Sequence, residues 1–326
     1  MILAGDIGGT STRIALFDNQ GSALHAVVSG RYPSRDHAGL TEIVAAFTSA
    51  HPGRIDSACF GIAGPVRDGR VETPNLPWVI DGAVLAKQLG LTIVTLLNDL
   101  EANAWGIFTL GDADVETLSA GQPAREGNAA IISAGTGLGE AGYHWDGAKL
   151  LPFASEGGHA DFAPHDELTI ELFRWLHRRH GHVSWERVVS GPGLVNLYTF
   201  LRDTGRGSES AALAESMRSG DPAAEISKAA LDETSELAVM ALDLFIALYG
   251  AEAGNLALKM KATQGIWVGG GIAPKILPRL KRPGFLAAFH NKGRFRAFLE
   301  AVPVRVILND QTALRGAAWH ALSSRA

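Results

Sequence analysis

The sequence opens on an apolar run that one acidic residue and a glycine turn interrupt. Residues 4–18 read AGDIGGTSTRIALFD, so Asp6 stands just before the turn and the apolar run resumes after it. Two apolar runs joined by glycines predict a β-hairpin, because glycine can turn with positive φ. Glycine also lets backbone N–H groups approach an anion, and the hydroxyl of Thr10 or Ser11 can add a donor. The opening stretch therefore predicts a phosphate-binding hairpin.

Two later glycine clusters extend this interpretation. GNAAIISAGTGLGEAGYHW again places a glycine turn between two apolar runs, and GIWVGGGIAP places glycines directly after a strand. The first of these repeats the opening hairpin and so predicts two related halves. We expect the three loops to surround one nucleotide through Gly8, Gly9, Thr10, Gly135, Thr136, Gly137, Gly139, Gly269, Gly270 and Gly271.

Strand and helix patterns alternate along the chain and predict an α/β fold. LTEIVAAFTSAH has helical spacing, DGAVLAKQLG is a helix ended by Gly90, and IDSACFGIAG and LTIVTLLND are strands. Residues 168–262 are mostly helical, and VPVRVILNDQTALRGAAWHAL is a strand followed by a helix. The order of motifs predicts a small α/β domain of residues 1–109 plus about 301–326. The large α+β domain would comprise residues 110–300.

Composition and charge exclude several classes of protein. A net charge of −5 over 326 residues provides no basic field for nucleic acid or an anionic membrane. The single cysteine, Cys59, lies in an apolar run, which predicts a buried thiol and excludes a cysteine-held zinc. The start of the chain lacks the features of a signal peptide, so we expect a cytoplasmic protein. Asp243 and Glu252 interrupt the most apolar segment, which we interpret as a buried helix rather than a membrane span.

Other nucleotide-binding signatures are absent from the sequence. There is no G-x-x-x-x-G-K-[ST] motif, and no lysine follows a glycine anywhere in the chain. GTGLG lacks the spacing of the dinucleotide fingerprint, and protein-kinase signatures do not occur. The nucleotide must therefore be held in another way.

The glycine loops resemble the phosphate and adenosine loops of the sugar-kinase, hexokinase and actin superfamily. LLNDLEANAWG, SEGGHADFAP and ERVVSGPGLVNLY further resemble bacterial glucokinases that lack a structural zinc, and the likeness covers essentially the whole chain. The resemblance implies a two-lobed ribonuclease-H-like fold with a ligand cleft between the small and large domains. Repressor and open-reading-frame kinases are a less similar family, because their cysteine-rich zinc motif and N-terminal helix-turn-helix have no counterpart here.

The resemblance implies that Asp99 is the general base that takes a proton from a sugar hydroxyl. Asn98 and Asp99 end the apolar run LTIVTLL, and ligands in α/β proteins collect at the carboxyl ends of strands. Asn98 would contact the sugar. The alternative is that these two residues only cap the following helix.

The same family pattern implies that Glu156, His159 and Glu186 bind the hexose. An ionised carboxylate accepts hydrogen bonds from neighbouring hydroxyls, and a neutral imidazole donates one and accepts one. Glu-x-x-His could also be a metal pair on a helix, but the two glycines between them disfavour a helix. Asn75, between prolines, either contacts the sugar or is a turn residue.

Asp6 would orient Mg²⁺ through water, because Mg²⁺ retains several waters in its usual sites. Arg13 either steadies phosphates or forms a surface ion pair. The resemblance thus implies an ATP-dependent glucokinase that requires Mg²⁺ and forms a homodimer. A kinase for mannose, fructose or N-acetylglucosamine, a non-catalytic sugar sensor and an actin-like ATPase remain alternatives.

Overall fold

The computed structural model describes residues 1–20, 23–73 and 76–324. The chain divides into unit 1, Met1–Asp114 with Asn309–Ala326, and unit 2, Val115–Leu308. The sequence-based domain boundaries remain a proposal.

Strands and helices follow one another much as the sequence patterns predict. The predicted opening hairpin, the first two helices and the helical stretch before the last strands are all present. The elements, in chain order, are β1 (Ile2–Ile7), β2 (Ser11–Gln20), β3 (Ala23–Pro33), α1 (Leu40–Ala50), β4 (Ser57–Ile62), β5 (Arg70–Glu72), β6 (Val79–Asp81), α2 (Gly82–Leu89), β7 (Thr95–Asn98), α3 (Asp99–Gly106), β8 (Val115–Ser119), β9 (Ala129–Ala134), β10 (Leu138–Trp145), β11 (Leu150–Ser155), α4 (Glu167–His180), α5 (Gly191–Asp203), α6 (Ala211–Ser219), α7 (Pro222–Leu231), α8 (Glu236–Met260), β12 (Gly265–Gly269), α9 (Leu277–Leu280), α10 (Gly284–His290), α11 (Arg296–Glu300), β13 (Val304–Ile307) and α12 (Thr312–Ser323).

Unit 1 is built on a mixed sheet with the strand order β3-β2-β1-β4-β7 within the described ranges. β1 is antiparallel to β2 and parallel to β4, and β4 is parallel to β7. Successive side chains of a strand point to opposite faces. Leu3 and Ile7 therefore pack in the cluster that includes α1 and α2, whereas Ile2 and Ala4 pack with α12. Cys59 is fully buried in this second cluster, as predicted.

Helices α12 and α3 approach each other closely because glycines stand at their crossing. A Cβ on Gly316 would lie 1.9 Å from the Ala102 carbonyl oxygen, and one on Gly106 would lie 2.2 Å from that of Thr312. No side chain larger than hydrogen fits at either position without a backbone shift. This packing holds α3, which begins at Asp99, against the rest of unit 1.

Unit 2 repeats the sheet arrangement of unit 1. Among the residues described, its strand order is β11-β10-β9-β12-β13-β8, in which β9 is antiparallel to β10 and parallel to β12. Its first five strands thus match the order and directions of the unit 1 sheet. The repeated glycine turn predicted two related halves, and the matching topology of the two sheets confirms them.

Helix α8 forms the centre of the unit 2 core. Leu242, Phe245 and Tyr249 are buried there among helices α5, α7 and α10. By length and apolarity alone α8 could span a membrane, but 72% of its most apolar window is buried inside the protein. The segment is a buried helix, as the sequence predicts.

Candidate active site

The parallel strands of unit 1 end together and bring the predicted catalytic residues to one edge of the sheet. Ile7 of β1 pairs with Ile62 of β4, which in turn pairs with Asn98 of β7. Asp6 and Asp99 stand next to these strand ends. They are close enough for the charge of Asp99 to raise the pKa of Asp6. This edge collects ligands in open α/β sheets.

Asn98 and Asp99 form the junction between β7 and α3. Asn98 Oδ1 and Asp99 Oδ1 both accept from the Leu100 N–H, at 2.9 and 2.8 Å, while Asn98 Nδ2 donates to the Gly64 carbonyl at 3.1 Å. The capping role considered above for this pair is therefore present. Asp99 is nevertheless exposed, so its carboxylate is accessible to a substrate.

Asp6 lies in an unusual electrostatic environment. Burial raises its pKa to about 6, Arg13 opposes this rise, and Asp99 and Asp310 add to it. Arg13 donates to Asp310 Oδ2 at 2.6 Å and to the Asp310 carbonyl at 2.7 Å. Arg13 therefore forms an ion pair, which is one of the two roles that the sequence left open for it.

The first glycine turn is fixed by a small hydrogen-bond network. The Gly8 N–H donates to the Ser11 carbonyl, and the Ser34 hydroxyl donates to the Gly8 carbonyl at 2.7 Å. Neither Gly8 nor Gly9 has a positive φ, so the predicted reason for glycine at this turn is wrong. Space is the reason instead, since a Cβ on Gly8 would lie 3.1 Å from the Ser11 oxygen. Thr10 is exposed at the tip.

The second glycine turn is fixed by Glu186. The Leu138 N–H donates to Glu186 Oε2 at 2.9 Å, and a Cβ on Gly137 would lie 2.5 Å from the same oxygen. The Gly135 carbonyl accepts from the Gly191 N–H at the start of α5. Gly135, Gly137 and Gly139 also lack positive φ. Thr136 remains exposed.

The second and third glycine loops line one large cavity in unit 2. Its volume is about 1000 Å³, and Gly135, Thr136, Gly271 and Ile272 form one side of it. Gly270 has a φ of 82°, and a Cβ there would lie 2.2 Å from the Ala134 carbonyl oxygen. Gly269 packs against Ser133, whereas Gly271 faces open space. Residues of helices α5 and α7 also line the cavity.

Glu156 and His159 stand at the two ends of one tight turn. The His159 N–H donates to the Glu156 carbonyl at 3.0 Å, and residues Gly157–His159 form a single 3-10 turn rather than the α-helix that a Glu-x-x-His metal pair needs. Both side chains are exposed. His159 Nδ1 lies 4.0 Å from Glu186 Oε1, so this turn and the second glycine loop meet in unit 2.

Comparisons with known proteins agree over the whole length of the chain. The sequence profile of the glucokinase family matches residues 3–324. Glucokinase of Nostoc sp. is 44% identical over 98% of this chain and 98% of its own length, and that of Synechocystis sp. is 40% identical over 99% and 98%. The chain belongs to the glucokinase family.

A solved glucokinase structure agrees with this assignment. Glucokinase from an Antarctic psychrotroph is 30% identical, covers 99% of this chain and 98% of its own, and superposes with a TM-score of 0.87. A ROK family glucokinase from Streptomyces griseus, solved with glucose and AMPPNP, is 22% identical over 99% of both chains with a TM-score of 0.64. At that identity the second likeness shows only the fold. The fold is the α/β sugar-kinase fold of the hexokinase and actin type, as the resemblance implied.

In this glucokinase-family chain, the structure brings several predicted residues together and also shows features that the sequence hides. Asp6, Asn98 and Asp99 share one edge in unit 1, and Glu156, His159 and Glu186 meet in unit 2. Asn75 lies outside the described residues. Sequence reasoning missed Asp310, the partner of Arg13, and Glu140, a buried carboxyl behind Gly157, because neither stands in a recognisable motif.

Proposed function

We propose that this chain is an ATP-dependent glucose kinase in which Asp99 acts as the general base. The full-length relationship to glucokinases supports the reaction. The observation that carries the role of Asp99 is its place as an exposed carboxylate at the carboxyl end of β7, beside Asp6. A carboxylate in hydrogen-bond reach accepts the proton of the attacking hydroxyl as phosphoryl transfer proceeds.

The hexose hydroxyls are bound by Glu156, His159 and Glu186, with Asn98 as a further ligand. The contact of 4.0 Å between His159 and Glu186 supports a shared role for these two side chains. Glu186 also accepts from the backbone of the second glycine loop, so the same carboxylate connects the sugar site with that loop. Asn75 remains a proposed ligand on sequence grounds.

The nucleotide occupies the large cavity of unit 2, and its phosphates contact the glycine loops. The backbone of Gly135 and Thr136 and the side of the cavity at Gly271 support this placement, because bare backbone can approach a phosphate closely. Gly8, Gly9 and Thr10 serve the phosphates from unit 1, and Gly137, Gly269 and Gly270 shape the other two loops.

Asp6 fits a Mg²⁺ ion held mainly by phosphates and water. Its carboxylate is at a strand end among acidic neighbours, and no group of three or more His, Cys, Asp or Glu side chains in the described ranges forms a metal cage. One carboxylate plus substrate phosphates is the usual arrangement for Mg²⁺. The bound ion would neutralise charge on the transferred phosphoryl group. Asp6 would orient it through water.

Replacing Asp99 with Asn tests the general base directly. We expect kcat to fall by roughly 10² to 10⁴, with glucose binding changed little, because Asn keeps the shape but cannot accept the proton. Asp112→Asn, which removes an exposed carboxylate of unit 1, is the charge-matched control. An active Asp99→Asn enzyme with only KM altered would contradict the assignment.

A substrate panel tests the reaction itself. ADP formation is measured with Mg·ATP and no sugar, glucose, mannose, fructose or N-acetylglucosamine, each with and without EDTA. We expect turnover with glucose to exceed the others and EDTA to abolish it. The family relationship also leads us to propose a cytoplasmic homodimer, which light scattering and cell fractionation would test.

A further inference from the structure

A buried carboxyl group, Glu140, lies directly behind the turn that carries Glu156 and His159, and the charge of a second buried carboxyl group, Glu252, acts on it. Glu140 of β10 is 1% exposed and Glu252 of α8 is fully buried. A Cβ on Gly157 would lie 2.2 Å from Glu140 Oε2, so the Glu140 side chain supports the backbone of that turn. We call residues 155–159 the sugar loop.

Glu140 also holds the start of the sugar loop through its backbone. Glu140 pairs with Ser155 across β10 and β11, and the Ser155 hydroxyl donates to the Glu140 carbonyl at 2.8 Å. The same hydroxyl accepts from the Gly157 N–H at 3.2 Å. Both the main chain and the side chain of Glu140 therefore contact the sugar loop and support its position.

The two carboxyl groups differ in what surrounds them. Glu252 accepts from Asn255 Nδ2 at 2.7 Å and from Lys259 Nζ at 3.0 Å, so both of its oxygens have donors. Glu140 Oε1 is buried and has no hydrogen-bond donor among the described residues. A buried ionised carboxylate without a donor is unfavourable, whereas a protonated one can donate to its neighbour.

We propose that Glu140 carries a proton that it donates to Glu252, and that this neutral Glu140 is a positioning residue for the sugar loop and therefore for hexose affinity. The inference rests on the proposed hexose-binding role of Glu156 and His159. Loss of the proton would leave two interacting negative charges, on Glu140 behind Gly157 and on Glu252. Their repulsion would displace the loop and weaken hexose binding, while the proton-accepting group at Asp99 would be unaffected.

The surrounding charges set the pH at which this happens. Burial and the Glu252 charge raise the pKa of Glu140 to about 8, and Lys259 opposes the rise. Burial also raises the pKa of Glu252, against Asn255, Lys259 and Lys292. The charge of Glu140 also acts on the hydroxyl of Tyr249, on α8. His165, Asn255 and Lys292 line one cavity of about 240 Å³. If only the protonated form binds well, glucose KM rises about tenfold between pH 7 and pH 9.

The test is a pH profile of glucose KM and kcat at saturating Mg·ATP, for the wild type and for Glu140→Gln. Gln is neutral at every pH and its amide can donate to Glu252, so it mimics the protonated acid. We expect the wild-type KM to rise about tenfold from pH 7 to pH 9 with kcat within about twofold. Glu140→Gln should keep the wild-type KM at pH 7 and lose the rise. Glu300→Gln, which removes an exposed carboxylate of unit 2, should keep the wild-type profile.

Two outcomes would overturn the proposal: a flat wild-type profile, or a rise in KM that Glu140→Gln retains. Glucose binding to the wild type without nucleotide, followed by calorimetry at both pH values, tests the same effect without any variant. Glu156→Gln, measured beside them, separates the inference from the proposed function. If Glu156→Gln does not weaken glucose binding, the hexose site itself is wrongly assigned. If it does, and Glu140→Gln keeps the pH dependence, only the positioning role fails.

Discussion

The two glycine hairpins share a topology but differ in the charge that they carry. Asp6 stands one residue before the end of β1, and Ser133 stands one residue before the end of β9. Both strands lie third in matching orders of five, antiparallel to one neighbour and parallel to the other. The repeated architecture therefore offers two equivalent positions, of which only one is acidic.

The difference in charge indicates that the two hairpins have different functions. In unit 1 the strand end has a carboxylate whose pKa burial raises to about 6, beside Asp99 and an arginine. In unit 2 the corresponding serine hydroxyl is buried without a hydrogen-bond partner among the described residues, and Gly269 packs on it. The first hairpin suits a cation and phosphates. The second provides neutral backbone and packing for one wall of the cavity.

Among the effects that separate the two hairpins, the largest comes from removing the charge at the first one. Asp6→Asn should lower kcat/KM by about 10² to 10³, because a neutral amide would no longer stabilise charge during phosphoryl transfer through Mg²⁺. Ser133→Ala, the equivalent change in the second hairpin, should alter kcat/KM by less than about threefold, since its hydroxyl has no partner to lose. Steady-state kinetics over a range of Mg²⁺ concentrations measure both. An equal loss of kcat/KM in the two variants would show that the two hairpins do not differ in function as described.

The next effect concerns stability, and it compares Glu140 with an ordinary surface carboxyl. Because burial raises the pKa of Glu140 in the folded state, the folded protein holds a proton that the unfolded chain releases. The resulting loss of stability begins above the ordinary pKa of 4.5 and is complete above pH 8. Glu140→Gln removes this titration, so its stability gain over the wild type should grow between those pH values.

We expect that gain to be negligible near pH 4 and about 5 kcal/mol at pH 9. Urea unfolding of the wild type, Glu140→Gln and Glu300→Gln at both pH values measures it. Glu300 is exposed and paired with Arg296, so its variant should change little. A Glu140→Gln gain that is the same at pH 4 and pH 9 would mean that Glu140 has no proton to lose in this range.

Local signals allowed much of the fold to be predicted, whereas long-range pairing limited prediction of the site. Apolar runs around glycine turns identified both hairpins, and Gly90 ended α2 with a φ of 66° as its position indicates. The pairing of Arg13 with Asp310 joins residues far apart in the chain and has no local signal. The positive φ expected at the hairpin glycines is absent, and Gly8 and Gly137 instead provide space for Ser11 and Glu186. Glu140 resembles any polar residue of a strand until its burial is known.

The smallest predicted effect is a change in KM, and it compares two glycines of the second hairpin, Gly137 and Gly135. Gly137→Ala would place a Cβ 2.5 Å from Glu186 Oε2, so Glu186 must move, and glucose KM should rise about tenfold. Gly135→Ala, two residues earlier, has no atom within 4 Å of its Cβ and borders the cavity, so it should raise KM for ATP and spare KM for glucose. Steady-state kinetics with each substrate varied in turn separate the two effects. If both variants instead raise the KM for ATP alone, Glu186 is part of the nucleotide loop and not a hexose ligand, and the second hairpin would then serve one substrate only.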